Sequence, residues 1–216
     1  SRVNKEEEAL DLFKTLARTG DLQAMIQACD AAAARGHPDL ALEWAEARGG
    51  GFSEDPSYVN HLCKLALRLK AWDKAVLWAR RQLDKAQTFT SLGPALSQVM
   101  AGLNTAEQKA ALIRELEAAP ARTIQQTCLL SELLESQGQS DRADAVLSEA
   151  ARAQPQIVLR QQAHLYCLRR DWTRAAATLE SLVTRSGPSD LDLRPQISEL
   201  YAKAGQYDAG LKWVLE

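Results

Sequence analysis

Asn60, Lys64 and Arg68 follow one another at intervals of four in the stretch "NHLCKLALR". On a helix that spacing puts an amide and two cations on one stripe, which could hold a carboxylate or a carbonyl-rich segment. Without a partner, the same stripe is simply a solvated helix face. Glu132 and Glu135, at i and i+3, suggest paired carboxylates, but such a pair on a solvated face is ordinary surface charge. The only histidines are His37, His61 and His164. They form no H-E-x-x-H motif, and neither G-x-S-x-G nor a glycine-rich loop ending in Lys is present. His61 and Cys63 stand two residues apart, so on a helix they point in different directions and make no nucleophilic dyad. Cys29, Cys63, Cys128 and Cys167 are widely spaced, with no C-x-x-C pair for zinc or redox work, and are expected as four buried, reduced thiols. "GGGF" at 49–52 follows a helical stretch with no strand before it, so it reads as a flexible connector and not a phosphate loop. No catalytic residue, metal site or cofactor is expected.

Charge limits the partners. Lys and Arg (26) nearly cancel Asp and Glu (28), leaving no field that would steer a polyanion, so nucleic acid is not an expected partner. Hydrophobic residues at 46% and charged ones at 25% are the balance of a folded chain. No apolar run reaches the roughly 18 residues of a membrane span, and the start "SRVNKEEEALDLF" lacks the pattern of a signal peptide. Beginning at Ser and ending "LKWVLE", the sequence reads as a piece of something longer.

The elements that must position these residues are helices. Apolar residues recur at helical spacing, as in Leu10, Phe13 and Ala17 or Val76, Ala79 and Leu83, and no run alternates as a strand would. Breakers such as "RGHPD" at 35–39, "SQGQS" at 136–140 and "SGPSD" at 186–190 cut the chain into about a dozen short helices. The breakers also keep a period. Gly36, Lys70, Asn104, Gly138, Arg170 and Gly205 occupy one turn position, at steps of 34, 34, 34, 32 and 35. Five residues later comes a small residue, Ala41, Ala75, Ala143, Ala175 or Gly210, with Lys109 the exception. Four further on stand Ala45, Ala79, Ile113, Leu147, Leu179 and Val214. The small residue lets two antiparallel helices approach, and the apolar one fills the space between neighbouring pairs.

A period of 34 with these positions resembles the tetratricopeptide repeat (TPR), over essentially the whole chain. The clearest matches are "LLSELLESQGQSDRADAVLSEAARAQP", "LRQQAHLYCLRRDWTRAAATLESL" and "ISELYAKAGQYDAGLKW". In them Tyr166 and Tyr201 take the family's first-helix Tyr, Trp172 and Tyr207 the aromatic after the turn, and Pro155 the closing Pro. These aromatics are expected in the core. The resemblance implies an all-α fold, a right-handed superhelical solenoid of antiparallel helix pairs. One solenoid fragment over 1–216 is expected. It would comprise the second helix of a preceding repeat at about 4–18, repeats at about 21–51, 55–88, 89–120, 121–154 and 155–187, and a truncated one at 189–216. Lys109 and the Gly93-Pro94 step predict distortion in the repeat at 89–120.

In TPR proteins the first helix of each pair lines the concave face. Carried onto this chain, that places Gln23, Ile26 and Asp30 on the face, then Asn60, Lys64 and Arg68, and then Gln98. Gln125, Glu132 and Glu135, then Arg160 and His164, and last Glu199 and Lys203 continue it. The family's clamp for a C-terminal carboxylate is not reproduced, since Ser91, Pro94 and Gln98 stand where cations would be needed. Two functions remain. One is a non-catalytic protein-interaction scaffold. The other is a polysaccharide-binding solenoid, supported by Glu132, Glu135 and Glu199. The divergent Ala- and Arg-rich repeats are similar to TPR segments of Gram-negative exopolysaccharide export proteins. That resemblance implies a periplasmic scaffold ahead of an outer-membrane barrel, which recruits a polysaccharide-modifying enzyme and guides polymer to the pore. A TPR adaptor in another bacterial assembly, periplasmic or cytoplasmic, is the alternative.

Overall fold

The computed structural model describes residues 2–52, 55–86, 88–186 and 193–215. The expected breaker at 186–190 falls almost wholly outside them. The helices are α1 (Arg2–Thr19), α2 (Leu22–Ala34), α3 (Pro38–Ala47), α4 (Gly49–Phe52), α5 (Pro56–Arg68), α6 (Trp72–Lys85) and α7 (Phe89–Gly102), followed by α8 (Ala106–Ala118), α9 (Ile124–Ser136), α10 (Ser140–Ala150), α11 (Pro155–Leu168), α12 (Trp172–Ser186), α13 (Arg194–Lys203) and α14 (Tyr207–Leu215). No strand occurs among the described residues. The protein is all-α, built of antiparallel helix pairs in which consecutive helices pack together.

One turn geometry makes the pairs. Gly36, Lys70, Gly138, Arg170 and Gly205 all have positive φ, between 56° and 96°. They are five of the six positions that the 34-residue spacing aligns. Around each, two backbone bonds close the first helix. At Gly36 these are Gly36 N–H to Ala33 O and His37 N–H to Ala32 O, and at Arg170 they are Arg170 N–H to Cys167 O and Asp171 N–H to Tyr166 O. This Schellman arrangement uses up carbonyls that the helix end would leave unpaired. The residue after the turn caps the second helix with its own carbonyl, which accepts from the small residue four further on, as in Ala41 N–H to His37 O and Gly210 N–H to Gln206 O. Ala41, Ala75, Ala143 and Ala175 have no exposed surface. A Cβ on Gly210 would lie 3.0 Å from the Ser198 carbonyl oxygen, so any larger residue there would push α14 a few tenths of an ångström away from α13.

The sixth position departs. Asn104 is not among the residues with positive φ. Its turn is held by side chains: Gln108 Oε1 accepts from the N–H groups of Asn104 (3.0 Å) and Thr105 (3.1 Å), while Thr105 Oγ1 accepts from Gln108 N–H (3.2 Å). Pro94 lies inside α7, yet the helix runs on to Gly102, its start fixed by the reciprocal capping of Thr88 and Ser91.

The chain forms two compact units, Ser1–Gln108 and Lys109–Glu216. In the first, Met25, Ala28, Cys29, Trp44, Tyr58 and Leu62 belong to one buried cluster. Tyr58 OH donates to Ala45 O (2.9 Å), tying α5 to α3. In the second, Ala175, Leu179, Leu182, Ile197 and Leu200 are buried together between α12 and α13. Each buried Leu or Ile side chain contributes about 1.5–3 kcal/mol.

Some sequence expectations need correction. "GGGF" is the one-turn helix α4. Cys29, Cys63 and Cys128 are buried, but Cys167 is only half-buried. Tyr207 is 67% and Val214 65% exposed, because α14 has no described helix packed over that face. Tyr166 and Trp172 sit half-buried at the margin of the second unit's cluster.

Candidate partner-binding face

The candidate residues fall into a register set by the turns. Asp30, Lys64, Gln98, Glu132, His164 and Glu199 each stand six residues before their turn position, so they occupy equivalent places on successive first helices. Their surroundings differ.

In the first unit, Ile26 is half-buried and packs against the core. Gln23 and Asp30 are exposed. The Asp30 carboxylate lies 3.7 Å from Nδ1 of His61 on α5. His61 is 6% exposed, its Nε2 has no hydrogen-bond partner, and burial, aided by nearby Lys64 and opposed by Asp30, holds its pKa below the ordinary value. Cys63 turns the other way and donates to Ala75 O on α6 (3.6 Å). Burial pushes its thiol up to about 11, so no thiolate forms at neutral pH. Asn60 is half-buried and accepts from Gln98 Nε2 of α7 (2.7 Å). Lys64 and Arg68 are exposed and make no ion pair among the described residues. Beside the amide pair, α5, the end of α6 and α7 enclose a cavity of about 350 Å³, whose lining includes Val59, Asn60, Ala86, Pro94, Ala95 and Gln98.

In the second unit the equivalent group on α9, Glu132, turns inward, while His164 and Glu199 stay exposed. Glu132 and Glu135 are 12% and 11% exposed, so neither lies on the solvated face expected for them. Glu132 Oε1 lies 3.8 Å from His164 Nε2 on α11, and its Oε2 is buried without a partner. Glu135 is held by Arg169, the residue capping α11. Arg169 Nε and Nη2 donate to Glu135 Oε2 (3.0 and 2.6 Å), and Nη1 and Nη2 donate to the two Asp144 oxygens (both 2.9 Å). Ser140 Oγ donates to the other Glu135 oxygen (3.0 Å). Hydrogen bonds to Asp144 and then Glu135 raise the Arg169 pKa further above its ordinary value, so the guanidinium stays charged. Gln125 and Arg160 are half-buried and have partners of their own. Glu199 and Lys203 are exposed and pair with each other (2.7 Å).

Spacing therefore brings Asn60 and Gln98 together beside a cavity and leaves Lys64 and Arg68 open. It also assigned to the surface two glutamates that the fold holds inside. Arg169 and Asp144 escaped notice, and the signal was an Arg adjoining one turn with a Glu and an Asp flanking the previous turn.

No family model matches the chain, and no curated protein matches it. Solved structures do. A thermophilic TPR protein of Thermus thermophilus is 19% identical with a TM-score of 0.45, over 83% of this chain and 98% of that one. A tetratricopeptide repeat protein of Parabacteroides merdae is 15% identical with a TM-score of 0.48, over 96% and 90%. PilW, a widely conserved type IV pilus biogenesis factor, is 18% identical with a TM-score of 0.45, over 90% and 91%. At these identities the likeness concerns the fold alone, and the assignment to helix pairs rests on the turns and burial described above.

Proposed function

We propose that this chain is a non-catalytic protein-interaction scaffold whose binding face lies on the first helices of the first unit, with Asn60, Lys64 and Arg68 at its centre. One observation carries the reading: Lys64 and Arg68 are exposed cations outside any ion pair among the described residues, on the helix that also lines the cavity beside Asn60 and Gln98. Groups arranged this way offer surface and charge to a partner and do no internal work. Asp30 extends the candidate face in the first unit; in the second unit, taken by itself, Arg160, His164 and Glu199 are the candidates, with Glu132 and Glu135 almost wholly enclosed.

In finer detail, the scaffold belongs to a bacterial exopolysaccharide secretion apparatus and resembles the Pel polysaccharide export protein PelB. It stands in the periplasm as part of a longer outer-membrane protein, recruits a polysaccharide-modifying enzyme and helps guide polymer to the pore. The style of the Ala- and Arg-rich repeats supports this. Other readings are an adaptor in a different bacterial assembly, periplasmic or cytoplasmic, and a polysaccharide contact along the same face. No nucleic acid, cofactor or metal enters the proposal, and no helix of the described residues is long and apolar enough to cross a membrane. The test is capture from periplasmic and cytoplasmic extracts, with prey identified by mass spectrometry. A periplasmic polysaccharide-modifying enzyme is expected, lost with Lys64→Glu/Arg68→Glu. Capture of a cytoplasmic complex would refute the export assignment, and capture indifferent to the double substitution would move the site elsewhere.

A further inference from the structure

We infer that the groove between the second helices α1 and α3 is a separate docking surface, which takes one arginine of a basic segment of a partner protein. The guanidinium meets Glu7, Asp11 and Glu43, and its stem lies on Leu10, Leu40 and Trp44. This surface shares no residue with the α5 face and goes beyond the function proposed above.

The fold leaves charge unanswered here. Glu7 and Asp11 stand at i and i+4 on α1, so two like charges share one stripe, which disfavours the helix. Glu43 joins them from α3 across the same groove. All three are exposed, and none forms an ion pair among the described residues. Lys14 lines the groove one turn beyond Asp11 yet pairs with none of them. The next acid on α3 is treated differently, since Glu46 is held by Lys74 of α6 at 2.7 Å. The chain thus neutralises one carboxylate of α3 from within and leaves the one beside the groove open to a cation from outside.

An apolar floor and an idle donor set this groove apart from an ordinary acidic surface. It has a volume of about 480 Å³, room for an arginine side chain and the backbone that carries it. Leu10 and Leu40 are half-buried against the first unit's core, and Trp44 is only 5% exposed. A buried indole N–H ordinarily finds an acceptor, but Trp44 makes no hydrogen bond among the described residues while lining the groove. The site therefore calls for a cation, an apolar stem and a carbonyl oxygen together. An arginine within a peptide chain supplies all three: its stem covers apolar surface, its planar fork bonds carboxylates in fixed directions, and its backbone carbonyl accepts from Trp44. A lysine ammonium, a point charge, gives no such fork. Lys14 repels a second cation at its end of the groove, which limits the segment to one.

The test is a titration followed by proton–nitrogen NMR of this 216-residue chain, reading the indole N–H of Trp44, assigned with Trp44→Phe. The probe is the end-blocked peptide Gly-Ser-Leu-Arg-Gly-Ser, and the control replaces its Arg by citrulline, which keeps the shape and loses the charge. Saturation with a Kd of about 0.3–3 mM is expected for the arginine peptide, about tenfold weaker binding for the control, and weakening by salt. Asp11→Asn/Glu43→Gln should weaken the arginine peptide about tenfold with helicity and melting kept. Lys64→Glu/Arg68→Glu should leave its binding unchanged, so this inference and the scaffold face fail separately. Equal binding of the two peptides would overturn the inference, as would no saturation by about 20 mM, or a Trp44 signal that stays still while others move. Spermidine shifting the Trp44 signal as strongly as the arginine peptide would also overturn it, since the groove would then answer to positive charge alone.

Discussion

Two first helices, α5 in the first unit and α9 in the second, use the same repeat register for opposite ends. Six residues before the turn, α5 carries the exposed Lys64, whereas α9 carries Glu132, almost wholly enclosed beside the exposed His164. Near it, Arg169 draws Glu135 and Asp144 into a network, while Lys64 and Arg68 stay open to solvent. Register fixes where a side chain begins, and the charges on adjoining pairs decide whether it turns inward. In this fold a polar residue on a first helix is evidence of binding only after the neighbouring pair has been inspected.

Substitutions can break or sharpen that contrast. The largest effect is expected at Arg169→Ala, which leaves Glu135 buried without its cation and should cost about 3 kcal/mol by urea denaturation. Replacing Arg169, Glu135 and Asp144 together by apolar residues of similar size should recover most of it. A loss under about 0.5 kcal/mol for Arg169→Ala would put this network in the same class as a surface pair. Next are the turns. Gly138→Ala, at φ 71°, should cost about 1–2 kcal/mol, whereas Arg170→Gly and Lys70→Gly relieve an L-residue held at φ near 60° and should each gain up to about 1 kcal/mol.

A smaller effect depends on pH. Burial lowers the folded-state pKa of His61 below its ordinary 6.5, so below that pH the unfolded chain binds a proton that the folded one refuses. Stability from this group is complete above about pH 6.5 and falls until pH passes the depressed folded value. His61→Gln should lose that slope, read as the urea midpoint against pH beside wild type. A His61→Gln profile parallel to wild type from pH 7 to 5 would refute the assignment. The smallest stability change is expected for Lys64→Glu/Arg68→Glu, within about 0.5 kcal/mol by thermal melting, while partner binding falls.

Much of the fold was legible because the turn imposes a local demand. Left-handed backbone recurs at one position, and the spacing identified it at Lys70 and Arg170 even where the residue is not glycine. The small position five residues on was legible for the same reason, since close helix approach excludes large side chains. Asn104 misled because a side-chain cap substitutes for the left-handed residue, and sequence spacing cannot distinguish the two devices. The site was less legible. Asn60 and Gln98 were both assigned to the face, but their contact depends on how α5 and α7 meet. Glu132 and Glu135 looked solvated because burial of charge depends on a partner in another pair, and Arg169 lies 34 residues beyond Glu135.

The Arg169 network also bears on how the second unit opens. In a chain of stacked pairs, each pair ordinarily unfolds against its nearest neighbour, and cooperativity is only as strong as that interface. Arg169 reaches from the cap of α11 to both helices of the preceding pair, α9 through Glu135 and α10 through Asp144. Separating the two pairs at this corner breaks these bonds, so a shared opening step is expected for the amides of α9, α10 and α11 that flank them, read by hydrogen exchange.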